Sequence, residues 1–187
     1  MEFTLSDLES AYNAAAAGET VICNAARERK ILDLQCYLRK LGARISGAGT
    51  STVTVSGFRP QPFVEHTIMP DRIVAATILC AGAACGGDVE LQGVDPDHFL
   101  TVLDSLSEAG CAIMKTASTV RLTSTGRLTA PRPVVTQPYP GFPTDAQPPL
   151  MAACLKAKAP RCSPKTSSPT VIVMPRSSGV WAQRQHR

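Results

Sequence analysis

Shifted by 68 positions, the sequence lies on itself: GETVICNAARERKILDLQCYLRKLGARI (residues 18–45) falls on GGDVELQGVDPDHFLTVLDSLSEAGCAI (86–113). Gly18 meets Gly86, Val21 meets Val89, Leu32 meets Leu100, Leu38 meets Leu106, Gly42 meets Gly110 and Ile45 meets Ile113. Turn-forming glycines and apolar positions therefore recur together, and the chain is expected to fold as at least two copies of one module. Short-period solenoid repeats do not fit this spacing.

Each copy reads as strand, helix, strand, strand, preceded by an alanine-rich helix. In the first, Ile31, Leu34, Leu38 and Leu41 form an apolar stripe at helical spacing that stops at Gly42. In the second, Asp95-Pro96-Asp97 reads as an N-cap with proline at the first helical position, followed by a stripe of Phe99, Val102, Leu103 and Leu106 that Gly110 ends. The alternating runs STVTVSG (51–57) and STVRLTS (118–124) predict strands with one buried face. The preceding helices are AYNAAAAG (11–18) and DRIVAATILCAGAACGG (71–87), whose small residues suit close packing inside a layered structure, and FRPQPF (58–63) is the link. The expected class is α/β (α+β), built from repeated βαβαββ units of which about two are present.

The formal charge of +4 invites a nucleic-acid reading that its distribution removes. Residues 156–187 hold seven basic side chains and no acid, which leaves 12 Lys+Arg against 15 Asp+Glu in residues 1–155. The body is mildly acidic, so no nucleic-acid partner is expected. The seven cysteines form no CxxC pair and sit mostly in apolar segments, which predicts buried free thiols rather than a metal site or a disulfide framework. No run approaches the length of a membrane span, and MEFTLSDLES has no signal-peptide pattern. A cytoplasmic protein is expected, with no membrane association and no defined protein partner.

The stretch PYPGFPTDAQ surrounds one carboxylate, Asp145, with backbone constraint. Pro138, Pro140 and Pro143 limit φ, Phe142 can anchor the loop in a core, and Thr144 with Gln147 has the spacing of a helix capping box. From the spacing alone Asp145 reads as an acid in the first turn of a helix, where the helix dipole favours its charged form. Pro148 and Pro149 then threaten the helix that Thr144 would cap. His66 and His98 read as packing or surface residues.

Three blocks give the chain a family. The run NAARERKILDL…LGARISGAGTSTVTVSG (24–57), the segment EHTIMPDRIVAATIL (65–79) and PYPGFPTDAQ follow one another in an order that resembles the enolpyruvyl transferases over residues 11–158. Within them the chain is most similar to the branch that uses UDP-N-acetylglucosamine. The resemblance implies an inside-out α/β barrel of βαβαββ units, with residues 1–69 in one domain and 70–158 in a second. It implies transfer of the enolpyruvyl group of phosphoenolpyruvate to the 3-hydroxyl of UDP-N-acetylglucosamine with release of phosphate, a step of peptidoglycan synthesis that needs no cofactor or metal. Asp145 matches the acceptor-site aspartate of the family, its proposed base. Thr144 and Arg72 are the further substrate-binding candidates, Arg72 facing either an interdomain cleft or a structural ion pair. A sister transferase acting on shikimate 3-phosphate and a non-catalytic remnant that binds the nucleotide sugar are the alternatives.

Departures from the family pattern are Arg29 for proline, Val74 for glutamate and Ala76 for glycine. The family's lysine, asparagine, cysteine loop and phosphoenolpyruvate-binding arginines precede the matched region, so the 187-residue chain by itself is expected to be inactive. From Ala159 onward the pattern stops. Back-translated and read one base earlier, permitted codons encode GTAVFTENIFTDRYRHAAELRRMGA, which restores it. Residues 159–187 are thus expected to be a disordered basic tail out of frame; the rival is a genuine Pro/Ser-rich extension that binds acidic partners.

Overall fold

The structure is a computed structural model that describes residues 19–58, 63–155 and 157. The expected helix at 11–18 and the tail from 159 lie outside the described residues, as does most of the link 58–63. The chain divides into two compact units, one of residues 1–71 with 138–140, the other of 72–137 with 141–187.

In the first unit the elements are β1 (Glu19–Cys23), α1 (Arg29–Lys40), β2 (Ala43–Ser46) and β3 (Thr52–Phe58). The sheet is antiparallel in the order β1-β3-β2. Val53 and Val55 face the core with Ala43 and Ile45, and α1 lays Leu38 and the partly buried Leu34 and Leu41 of the helical stripe on them, while Ile31 of the same stripe is fully buried. Lys40 Nζ donates to the Glu65 carbonyl at 2.9 Å, His66 Nε2 lies 3.2 Å from Asp33 Oδ1, and the His66 ring is 5.3 Å from that of Tyr37. His66 thus packs the 63–71 segment on α1. Arg29, at the position where the resemblance calls for proline, donates from Nε to Tyr139 Oη at 3.1 Å.

In the second unit α2 (Arg72–Cys85), β4 (Gly87–Gln92), α3 (Leu100–Glu108), β5 (Ala112–Lys115), β6 (Thr119–Ser124) and α4 (Gln147–Cys154) follow in order, with the sheet again antiparallel as β4-β6-β5. Helix α2 packs on β4 and β6 on one side and on α4 on another. That explains its alanines: Ala75, Ala76, Leu79, Cys80 and Ala83 are all buried, and a Cβ at Gly82 would sit 2.7 Å from Val89 Cγ2. Val102 and Leu106 of α3 meet Val120 and Leu122 of β6 in the same core.

The repeat survives at the level of individual backbone pairs. Val21 pairs with Thr54 in the first unit and Val89 with Leu122 in the second, each residue displaced by the same 68 positions, and the rest of β1·β3 and β4·β6 obeys the rule. Gly42 and Gly110 end α1 and α3 with φ of 102° and 98°, where a side chain would be strained. The copies part at the second hairpin. Ile45 pairs with Val55, whereas Ile113 pairs with Leu122, a shift of one residue that accompanies a bulge between Ala43 and Ile45.

In the first unit the β2–β3 hairpin turns through the GAGT motif. Thr50 N and Thr50 Oγ1 both donate to the Gly47 carbonyl, at 3.0 and 2.7 Å, and the buried Gln35 of α1 accepts from Ala48 N at 3.0 Å. Gly47 has φ +89° and a Cβ there would lie 2.1 Å from the Thr52 carbonyl oxygen; Gly57 has φ +76° with open space around it. Gly57→Ala should therefore cost about 1–2 kcal/mol from backbone conformation alone, and Gly47→Ala clearly more, because the hairpin must also open. Urea melts of the two variants compare them directly.

Three sequence expectations are corrected. Asp95 caps a separate 3₁₀ turn (Pro96–His98), accepting from Asp97 N at 3.1 Å, and α3 begins only at Leu100, so cap and helix are not continuous. His98 Nε2 sits 3.0 Å from Asp95 Oδ2 within this turn. Of the described cysteines, Cys80 and Cys111 are buried and Cys154 partly so, but Cys23, Cys36 and Cys85 are exposed. Cys23 shares the outward face of β1 with Val21, and Cys36 lies off the apolar stripe of α1. Burial pushes the Cys80 thiol up to about 12, so it stays protonated and unreactive at neutral pH. Finally, residues 63–71 form no strand ahead of α2, and the opening strand of a second βαβαββ unit is not seen among the described residues.

Two ion pairs brace the surface of the second unit. Arg121 binds Asp88 across β4 and β6 through Nε at 2.9 and 3.0 Å and through a further bond from its terminal nitrogen. Arg132 binds Glu108 at the end of α3, through its backbone N at 3.1 Å and Nε at 2.9 Å. The hydrogen bonds from these arginines hold both carboxyls below their ordinary range. A depressed folded-state pKa contributes stability above the unfolded pKa and loses it as pH falls through the folded value. Arg121→Gln with Arg132→Gln should therefore flatten the decline of melting temperature between about pH 5 and pH 3. Both pairs are exposed, so the effect is small at neutral pH.

Candidate active site

After β6 the chain crosses the second unit under close control. Leu128 is buried, Thr129 N donates to the Ala109 carbonyl at 3.0 Å, and Arg132 holds Glu108. Thr136 bridges Phe142 in parallel fashion, with Gln137 N donating to the Phe142 carbonyl at 3.0 Å. The Tyr139–Pro140 peptide is cis. Phe142 is only 5% exposed and packs in the core of the unit, so it anchors the loop as the sequence suggests.

From this anchor the chain makes a 3₁₀ turn, Thr144–Ala146, closed by Ala146 N donating to the Pro143 carbonyl at 3.1 Å. Ala146 is fully buried while Thr144 and Asp145 are exposed. The turn is held at its base and presents its polar tip. Among the described residues the Asp145 carboxylate has no hydrogen-bond or ion-pair partner.

The expected capping box does not form. Pro143, not Thr144, precedes the turn, and no side chain caps it. Helix α4 starts at Gln147, which places Pro148 and Pro149 in its first turn. The N–H groups they lack would have had no helical partner there, so they cost nothing comparable to an interior proline. The helix begins late, and it begins well. Gln147 itself is buried at 6% exposure rather than reaching back, and this residue was not among the sequence candidates.

Thr144 and Asp145 thus share one turn. Arg72 is half-buried at the first position of α2, the helix that packs on this turn and on α4, and no ion pair joins it to Asp145 among the described residues. Val74, two residues further along α2, is exposed, and Ala76, four residues along, is fully buried. Among the described residues no group of three or more His, Cys, Asp and Glu is arranged to hold a metal ion, and no helix is long and apolar enough to cross a membrane.

Paired βαββ modules with a carboxylate raised on a proline-braced turn define a class. Residues 10–159 match the family described as EPSP synthase (3-phosphoshikimate 1-carboxyvinyltransferase), and the chain belongs to that family of enolpyruvyl transferases. Its mixed α/β units are those of the inside-out α/β fold. Closer relatives carry a narrower name. The chain is 49% identical over 142 residues to UDP-N-acetylglucosamine 1-carboxyvinyltransferase 1 of Symbiobacterium thermophilum, covering 76% of this chain and 32% of the relative. It is 45% identical over 139 residues to the UDP-N-acetylglucosamine 1-carboxyvinyltransferase of Finegoldia magna, covering 73% and 33%. Among solved structures it superposes on the enolpyruvyl transferase NikO from Streptomyces tendae with a TM-score of 0.61 at 25% identity, over 82% of this chain and 36% of that one. The chain spans about a third of the length of the curated relatives it matches.

Proposed function

We propose that this chain supplies the acceptor side of an enolpyruvyl transfer from phosphoenolpyruvate to the 3-hydroxyl of UDP-N-acetylglucosamine, with Asp145 as the base. The observation that carries this reading is the exposed Asp145 carboxylate, without a partner among the described residues, on a turn fixed by the buried Phe142 and Ala146. A carboxylate so placed accepts the hydroxyl proton as oxygen bonds to carbon, without having to break a competing ion pair first. Thr144 beside it offers a hydroxyl to the same ligand, and Arg72 opens the helix that packs on the turn. The relatives' names favour the nucleotide sugar over shikimate 3-phosphate as acceptor.

A second reading, binding without turnover, applies to these 187 residues taken by themselves, which match about a third of the relatives' length. Stabilising charge on the departing phosphate is usually the largest catalytic contribution and takes several donors. Calorimetric titration of the 187-residue chain with UDP-N-acetylglucosamine, run beside a phosphate-release assay with phosphoenolpyruvate, tests both. Binding that Asp145→Asn weakens, with no phosphate released, is the expected result; the absence of binding would remove the acceptor-site reading, and turnover would remove the second.

A further inference from the structure

Two helical elements meet beside Asp145 without merging. The 3₁₀ turn Thr144–Ala146 is closed by Ala146 N donating to the Pro143 carbonyl at 3.1 Å and by Gln147 N donating to the Thr144 carbonyl, each bond reaching three residues back. Helix α4 starts at Gln147 and is seated in the core by Leu150 and Ala153, as Ala146 seats the turn. The break between the two lies in the sequence. For α4 to run back through Asp145, the amides of residues 148 and 149 would have to donate to the carbonyls of Thr144 and Asp145, four residues earlier. Both residues are proline. They carry no N–H, and a proline ring crowds the carbonyl four positions before it. The Thr144 carbonyl therefore keeps the shorter bond from Gln147, and the Asp145 carbonyl, with Pro148 and Pro149 at the third and fourth positions after it, has no helical bond open to it.

The difference matters at the side chain. A 3₁₀ turn winds about 120° and rises about 2.0 Å per residue, an α-helix about 100° and 1.5 Å. Between Gln147 and Asp145, exchanging one winding for the other would swing the carboxylate by roughly 40° about the axis and shift it by about 1 Å along it. A catalytic group has to be held within about 0.5 Å and 10–20° of its working geometry. We propose that Pro148 and Pro149 are positioning residues for Asp145: by withholding two donors from the helix ladder they keep the acceptor turn in 3₁₀ geometry and so set the direction in which the carboxylate projects. This rests on the acceptor-site reading given above, and it extends the control of Asp145 from the loop before it to the residues after it.

The test is the double variant Pro148→Ala/Pro149→Ala of the 187-residue chain, followed by amide hydrogen exchange, thermal melting and calorimetric titration with UDP-N-acetylglucosamine. With the donors restored, the α-helical ladder should run back through Asp145, and the new amides at 148 and 149 should exchange roughly tenfold or more slower than open ones. The dissociation constant should rise about tenfold, the worth of one hydrogen bond to a charged group. The added helix bonds offset the freedom that two alanines return to the unfolded chain, so the melting temperature should change little. Protected amides together with lost affinity support the proposal. Unprotected amides overturn it, because the turn then keeps its geometry without the prolines, and so does a dissociation constant within twofold of wild type when the amides are protected. If the double variant melts early, Pro149→Ala, which restores only the donor to the Asp145 carbonyl, is judged by the same two measurements. A wild-type chain that gives no heat with the nucleotide sugar removes the acceptor-site reading and the positioning role with it. If wild type binds and the variant binds equally, only the role of the prolines falls.

Discussion

Asp145→Asn should lower kcat by roughly 10²–10⁴-fold, the usual contribution of a positioned general base, in a full-length enzyme that carries residues 10–159 of this chain. Such an enzyme is made by exchanging the matching third of the Symbiobacterium thermophilum relative, to which this segment is 49% identical over 142 residues. The substitution is nearly isosteric, and the residue is exposed with no partner to lose among the described residues, so the circular dichroism spectrum and melting temperature should stay as they were. The asparagine amide can still hydrogen-bond the sugar hydroxyl but cannot take its proton, which sends most of the loss to kcat rather than KM. An undiminished kcat would show that Asp145 does not act as base, and loss confined to KM would reduce it to a ligand contact.

The prediction can be made so specifically because the modules were legible in the residues. Apolar positions spaced for one helix face and for alternate strand positions recur after 68 residues, and they fix which side of each element is buried: Ile31 and Leu38 with Val53 and Val55, then Val102 and Leu106 with Val120 and Leu122. Phe142 was legible as an anchor for a similar reason, as one large apolar residue among prolines and polar groups. What escaped depends on how neighbours meet. The one-residue register difference between the two second hairpins is already present on the GAGT side of Ile45, and the bulge at Ala43/Ile45 widens it further along; no pattern of period two can encode either. The two 3₁₀ turns look like helix caps because both begin with the residues that caps use, Asp95-Pro96 and Thr144 with Gln147. Whether a cap's hydrogen bonds close is decided by what the core does with the next side chains. Phe99 and Gln147 go inward, and the α-helix starts one residue after the first and at the second.

Phe142 connects fold and site most directly, and Phe142→Ala should be among the damaging single changes within the second unit. Truncating a buried phenylalanine removes apolar burial and leaves a cavity, for a cost of about 3–5 kcal/mol, a large share of what a domain of this size holds. At 5% exposure Phe142 meets that condition, and it lies in the same apolar cluster as Leu79, Leu106 and Leu150. Its carbonyl also accepts from Gln137 N, and that backbone bond pins the loop before the turn. The expected result is a fall in the urea midpoint by this amount at unchanged m-value. Phe142→Leu, which refills most of the space, should recover more than half of the loss. Because Pro143 and the turn at Thr144–Ala146 hang from this side chain, the alanine variant should also weaken UDP-N-acetylglucosamine binding under conditions where the unit is still folded. If the alanine variant is destabilised by less than 1 kcal/mol, well under the range for a filled core site, then Phe142 does not anchor the loop, and the physical basis for holding Asp145 in place is lost with it.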